Sequence, residues 1–266
     1  MIELEKEIDP FRSLSLQDMS YTRISTFDDC QAKYFYSYII KKPQEFGHAA
    51  TLGNIIHKAL EETLDHGYKI DTLELLEQYK AAIPIYDPEL QIPHDMIKNG
   101  EIMLREFVDA NPGEVNVYAK ELPFSFVLGR ARINGYIDFV AVHNAFVLVR
   151  DYKSGSREVA AKAVPENLQL GIYSLYAKHL FPDKEIRSEL YYLKSGRVKG
   201  HLFSDDELSS IESNLTDKIN TILDTVNFKE TKNEFSCRWC SYAKDGTCNT
   251  GKYRLNRRSS SYNEYQ

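Results

Sequence analysis

The sequence predicts a mixed α/β protein, with a helical N-terminal part followed by a mixed β-sheet flanked by helices. Three observations predict it. Segments with helical apolar spacing fill most of the first 110 positions. Between residues 116 and 152 the pattern changes to alternation and short β-branched runs. A helix-length segment then separates those runs from a further pair of strands.

The elements follow in order. Residues 1–20 read as an irregular arm. Residues 24–42, ISTFDDCQAKYFYSYIIKK, read as a helix with an aromatic face and Ser25 as its N-cap. Residues 43–51 read as a loop, and 52–66 as an amphipathic helix stopped by Gly67. Residues 71–82 and 93–110 read as helices around a Pro-containing linker. Strands are expected at 116–122, 124–128, 131–142 and 146–152. Residues 165–180 read as a helix opened by Pro165, and 187–194 with 197–203 as a hairpin about Ser195–Gly196. Residues 205–226 read as a closing helix, with Ser204 and Glu207 spaced as a capping box. The expected organisation is an arm (1–20), one domain (21–250, divided into 21–112, 113–204 and 205–250) and a polar tail (251–266).

Composition narrows the function classes. With 266 residues, 42% hydrophobic and 27% charged, the chain is long enough for a sizeable core and ordinary for a globular protein. No apolar run approaches the roughly 18–20 residues of a membrane span. The N-terminal MIELEKEIDPF lacks the apolar segment of a signal peptide, so a cytoplasmic protein is expected. The net charge of −6 conceals a local reversal: residues 150–200 hold ten Lys/Arg against six Asp/Glu. A polyanion can therefore meet a basic face on an acidic protein.

The chemistry concentrates in YIDFVAVHNAFVLVRDYKSGS, residues 136–156. If 136–142 and 146–152 pair antiparallel through His143–Ala145, Asp138 lies in one strand and Asp151 ends the next. Asp151 and Lys153, two apart, share a face. The FVLV run before Asp151 reads as a central strand buried on both sides. A carboxylate beside such a strand is costly unless compensated. Two carboxylates with backbone carbonyls are hard oxygen ligands of the kind Mg²⁺ or Mn²⁺ takes. A neighbouring lysine can hold or deprotonate a water, or meet a scissile phosphate.

Gln169 and Tyr173, four apart, project from one face of their helix. His57 lies on a stripe with Gly53, Leu60 and Leu64; the remaining histidines read as surface or loop residues. Glu121 precedes the strands, as a solvated residue or a participant in the site. Cys237, Cys240 and Cys248 with the distant Cys30 use all four cysteines. Four thiolates can close a zinc site or hold an iron–sulfur cluster, and the C-x-x-C spacing alone favours zinc. Either would close a loop of about 200 residues. The segment GTCNTGKY, 246–253, imitates a phosphate-binding loop, but Tyr253 stands where Ser or Thr is needed and no strand precedes it. No ATP site is expected.

Together these motifs resemble the PD-(D/E)XK nuclease superfamily, in its RecB-like and Cas4-like branch. GYIDFV resembles the first acidic motif and DYKSG the second with its lysine. QLGIY matches the branch's Q-x-x-x-Y, GNIIH its upstream helical histidine, and ISTFDDCQAKYFYSYI its first helix with a cysteine followed by aromatics. One departure is Ile137, where a proline is usual. The resemblance implies a restriction-endonuclease-like core with a C-terminal cysteine clamp. It implies a Mg²⁺ or Mn²⁺ site at His57, Asp138, Asp151 and the Tyr152 carbonyl, with Asp138, Asp151 and Lys153 catalytic. It implies DNA contacts by Gln169 and Tyr173, and a structural [4Fe–4S] cluster on Cys30, Cys237, Cys240 and Cys248 in place of zinc. The expected activity is exonucleolytic cleavage of DNA, single-stranded or with free ends, alongside recombination, replication or CRISPR-adaptation proteins, without a membrane. The alternative is a catalytically silent DNA-binding accessory subunit of the same fold.

Overall fold

A computed structural model describes residues 4–5, 16–44, 47–63, 71–110, 116–231, 234–252 and 254–255. The expected Gly67 helix stop, most of the N-terminal arm and the tail beyond 255 lie outside the described residues. The chain forms two compact units, each built from separated segments. One comprises 1–47, 127–133 and 215–266; the other comprises 48–126 and 134–214.

The second unit holds most of a mixed sheet. β3 (Val117–Leu128) pairs with β4 (Ala131–Val142), and β4 runs antiparallel to β5 (Phe146–Lys153) with Phe139 opposite Arg150. β5 is parallel to β6 (Glu185–Tyr192), and β6 antiparallel to β7 (Arg197–Phe203). The expected hairpins and the central position of β5 are observed. Val147, Leu148 and Val149 are buried, as the FVLV run required. The parallel β5–β6 pair is connected by α6 (Leu168–Leu180), the crossover that parallel strands need. Helix α7 (Asp205–Asp224) begins with the expected capping box: Ser204 N–H donates to Glu207 Oε2 at 2.8 Å, and Glu207 N–H to Ser204 Oγ at 3.3 Å.

Three helices pack on this sheet: α3 (His48–Thr63), α4 (Thr72–Tyr86) and α5 (His94–Ala110). Ile55, Ile56, Leu60, Tyr79, Leu104 and Phe107 join Phe139, Leu148, Tyr152 and Tyr191 in one core. α3 starts inside the segment read as a loop. α4 runs past its expected end to Tyr86, with Pro84 inside its last turn. Pro165 does not open α6: the cap is Asn167, whose Oδ1 accepts from Leu170 N–H at 3.0 Å. The two expected strands around Pro123 are one strand in which Glu121 takes a left-handed φ of 42°.

In the first unit, β1 (Leu4–Glu5) pairs with β8 (Asn227–Phe228), and β2 (Gln17–Met19) runs parallel to the start of β4, so the arm is not wholly irregular. The expected 24–42 helix is instead α1 (Tyr21–Asp29), α2 (Gln31–Tyr34) and a wide π-type turn at Phe35–Ile39. Its N-cap is Ser20, not Ser25. Cys30, in an extended conformation, ends α1 and caps α2, its sulfur accepting from Lys33 N–H at 3.5 Å. Two further short helices, α8 (Glu234–Cys237) and α9 (Ser241–Lys244), carry the other cysteines' surroundings. Phe27, Tyr34, Phe35 and Phe228 form this unit's aromatic core.

Gly100 of α5 sits where a Cβ would run into the Tyr79 hydroxyl and lie 3.1 Å from Leu52. Tyr79 is 1% exposed and donates to Ile97 O at 2.8 Å, so it cannot swing away. Gly100→Ala should therefore cost about 1–3 kcal/mol by overpacking, read as a lower urea midpoint with an unchanged slope.

Candidate active site

β4 and β5 bring Asp138 beside the end of β5, where Asp151, Tyr152 and Lys153 follow the apolar run. The Tyr152 N–H donates to Asp138 Oδ2 at 2.7 Å. From α3, His57 Nδ1 lies 3.4 Å from the same oxygen. A hydrogen bond to the Tyr152 backbone also reaches His57. Tyr152 thus holds both neighbours through its main chain. Its ring is buried edge-on against Phe107 with centroids 5.5 Å apart, and burial pushes its phenol up to about 12.

Glu121 completes this group. One ligand atom each from His57, Glu121 and Asp138 lies within 4.8 Å of the others. Burial, then the charge of Asp151, holds the Asp138 carboxyl well above its ordinary value of 3.8. Burial, then the charges of Glu61 and Asp151, raises Glu121. Burial lowers the His57 imidazole despite the charge of Asp151, which favours its neutral form beside Asp138.

Asp151 is 2% exposed. Its Oδ1 accepts from Gln169 Nε2 at 2.6 Å. Its Oδ2 makes an ion pair with Lys153 Nζ at 2.8 Å. Gln169 Oε1 accepts from Lys153 Nζ at 2.7 Å, and Gln169 Nε2 donates to the Tyr173 hydroxyl at 2.9 Å. The amide has one orientation here: an ionised carboxylate only accepts and an ammonium only donates. Tyr173 is buried against Phe124, centroids 5.7 Å apart. All the non-cysteine residues singled out in the sequence therefore meet at one end of the sheet. Glu121, weakly marked in the sequence, joins them because its left-handed backbone interrupts the alternation of β3.

The donor set suits a divalent cation. Carboxylate oxygens and a neutral imidazole are ligands for Mg²⁺ or Mn²⁺. The raised Asp138 and Glu121 carboxyls are what buried oxygens gathered without a cation of their own should show.

The model of the PD-(D/E)XK nuclease superfamily matches residues 18–244. This chain belongs to the PD-(D/E)XK nuclease superfamily. Nucleases of this superfamily use divalent metal ions, and the cluster at His57, Glu121 and Asp138 is a fitting place for one. A crystal structure of a candidate exonuclease from Eubacterium rectale superposes with a TM-score of 0.53 at 11% identity, covering 84% of this chain and 86% of that one. That likeness is one of fold. The Gene 69 protein of Mycobacterium phage L5 is 42% identical over 57 residues, or 21% of this chain. The match spans only 18% of the phage protein's length.

In the other unit of the chain, Cys30, Cys237, Cys240 and Cys248 line one cleft with Tyr36, Glu230 and Arg254. Burial raises the Cys30 thiol and pushes Cys248 up to about 11. Donors nevertheless aim at the sulfurs: Gly251 N–H at 3.4 Å from Cys248, and Arg254 Nη1 at 3.8 Å from Cys237. Among the described residues, no three of these sulfurs lie within 4.8 Å of one another. Among the described residues, no helix is long and apolar enough to cross a membrane.

The raised carboxyls carry a stability consequence with a definite sign. A carboxyl raised on folding gives up its proton first in the unfolded chain, so ionisation favours unfolding as pH rises. In EDTA, stability should fall from the ordinary carboxylate range, near 3.8 for Asp138, up through its raised folded value. Mn²⁺ should raise the melting temperature more at pH 7 than at pH 5, and Asp138→Asn should flatten both trends. Calorimetry across pH with and without metal reads this directly.

Proposed function

We propose that this nuclease is a metal-dependent deoxyribonuclease of the RecB-like and Cas4-like branch that removes nucleotides from DNA ends, single-stranded ends above all. The observation that carries the reading is the convergence of His57, Glu121, Asp138, Asp151 and Lys153 around the Tyr152 backbone, with Gln169 tying Asp151 to Lys153.

In this reading His57, Asp138, Asp151 and the Tyr152 carbonyl hold one or two Mg²⁺ or Mn²⁺ ions, with Glu121 within reach of the same position. The ions supply Lewis-acid stabilisation of phosphate charge and activation of water at neutral pH. Lys153, fixed by Gln169 Oε1 and the Asp151 charge, orients the attacking water for in-line displacement at phosphorus. Gln169 is a positioning residue. Its loss would leave the Asp151 Oδ1 without its donor and Lys153 without its acceptor. Tyr173 secures Gln169 and the α6 face on which the strand lies.

The four-cysteine cleft is read as a [4Fe–4S] site of structural purpose. The N–H and guanidinium donors at the sulfurs suit a sulfur-rich anion. Anaerobically purified protein should then be brown and absorb near ~400 nm. A colourless protein carrying stoichiometric zinc would replace the cluster by zinc.

The deciding experiment gives single-stranded DNA, labelled at either end, to wild type and Lys153→Ala with Mg²⁺, Mn²⁺ or EDTA. Stepwise, metal-dependent shortening is expected, falling at least about 10²-fold in the variant. A wild type that binds DNA and never cuts it with either metal would be the silent accessory subunit instead.

A further inference from the structure

A group of basic residues in the second unit adjoins the candidate active site. We infer that the loop 154–163 and the turn 193–199 form a preset track for the phosphate backbone of the substrate strand, an inference that rests on the nuclease reading above.

The loop leaves β5 directly after Lys153. At its start, the Ser154 hydroxyl lies 3.2 Å from where a Cβ on Gly53 would stand, one turn of α3 before His57. The turn joins β6 to β7, and its Leu193 N–H donates to Lys153 O at 3.0 Å. Both segments therefore begin at the catalytic lysine. Together they carry Arg157, Lys162, Lys194, Arg197 and Lys199 against one carboxylate, Glu158. Arg157, Lys162, Lys194 and Arg197 are exposed.

This concentration of like charge is held in place. Glu158 receives Arg197 at 2.9 Å, Lys199 at 3.0 Å and the Ser195 hydroxyl at 2.9 Å. Lys194 Nζ donates to Ser156 Oγ at 3.1 Å, and Lys199 Nζ to Val159 O at 2.7 Å. The Val159 N–H in turn donates to the buried Tyr192 hydroxyl at 2.8 Å. A loop that served only as a connection would gain nothing from five cations around one carboxylate. Mutual repulsion is relieved when a polyanion lies across them. The need for such a track is electrostatic. The chain carries a net −6, and the site presents Glu121, Asp138 and Asp151 to an incoming phosphate. Fixed cations beside the site offset that repulsion and set the direction of approach.

The test is anisotropy of a fluorescein-labelled single-stranded oligonucleotide in Ca²⁺, with the probe recovered intact, titrated at several salt concentrations. Arg157→Ala/Lys194→Ala should lower the slope of log Kd against log salt by about 1.4, the loss of two phosphate contacts on a single strand. In cleavage assays the same variant should show a raised KM with kcat retained at saturating DNA. Lys80→Ala/Lys98→Ala removes two exposed cations from α4 and α5 and should leave the slope unchanged. An unchanged slope in the loop–turn variant, or an equal fall in the control, overturns the track while wild-type cleavage leaves the nuclease reading standing. A reduced slope in a protein that never cuts would keep the track and overturn the nuclease. No binding by wild type would overturn both.

Discussion

The site depends on how a carboxylate is kept at the end of a central strand. Asp151 follows three buried apolar residues and is itself almost without solvent, so its charge must be met from within the protein. Gln169 meets one oxygen with a hydrogen bond, and Lys153 meets the other with an ion pair. The amide that satisfies Asp151 also fixes the lysine, because its remaining acceptor has nowhere else to go. A single side chain from α6 therefore ties the acidic and basic members of the site together, and the hydroxyl of Tyr173 one turn later holds that side chain in turn.

The supporting structure is aimed at the peptide on either side of this carboxylate. Tyr152 offers its N–H to Asp138 and its main chain to His57, so its position sets the distance between the two acidic strands and α3. Its ring is closed in by Phe107 and Tyr191. Arg150, on the opposite face of β5, makes an ion pair with the buried Glu189 at 2.6 Å across the parallel β5–β6 pair. Removing Glu189 would strand the Arg150 charge, a cost of about 3–5 kcal/mol, whereas Glu189 also has Arg187 Nε at 3.6 Å. Gly200 makes room for Glu189: a Cβ there would lie 3.0 Å from the Glu189 Cβ. The alternation of β5 thus sends one set of charged groups to the site and another into a strut that registers the sheet.

What the sequence disclosed follows from which forces act locally. The β4–β5 pairing, the central place of β5 and the closing helix were legible because apolar runs, a short turn and a capping box are nearest-neighbour signals. The candidate site was legible because chemistry demands particular residue types at the ends of those elements. The boundaries that differed are tertiary. Ser25 had a good capping residue's chemistry, but Ser20 stands where the chain turns after β2. The helical pattern across Cys30 was genuine on both sides, yet the cysteine takes an extended conformation that directs its sulfur into the cleft. Pro165 was compatible with a first helical position, but Asn167 supplies a side-chain cap that proline cannot. Glu121 entered the site by a left-handed residue inside a strand, which no periodicity announces.

The same reasoning explains why the protein's charge is segregated rather than averaged. On the proposed reading, a site that assembles Glu121, Asp138 and Asp151 would repel a phosphate until cations intervene, and a bound divalent ion would neutralise only its own ligands. Neutralisation over the length of a strand needs cations at fixed positions beyond the site. Lys153 belongs to both systems. Its ammonium is turned to Asp151 and Gln169, while its carbonyl receives the Leu193 N–H of the basic turn. One residue at the end of β5 therefore joins the carboxylate cluster to the basic turn. A strand too long at this point would move the lysine away from Asp151 and the turn away from the loop together.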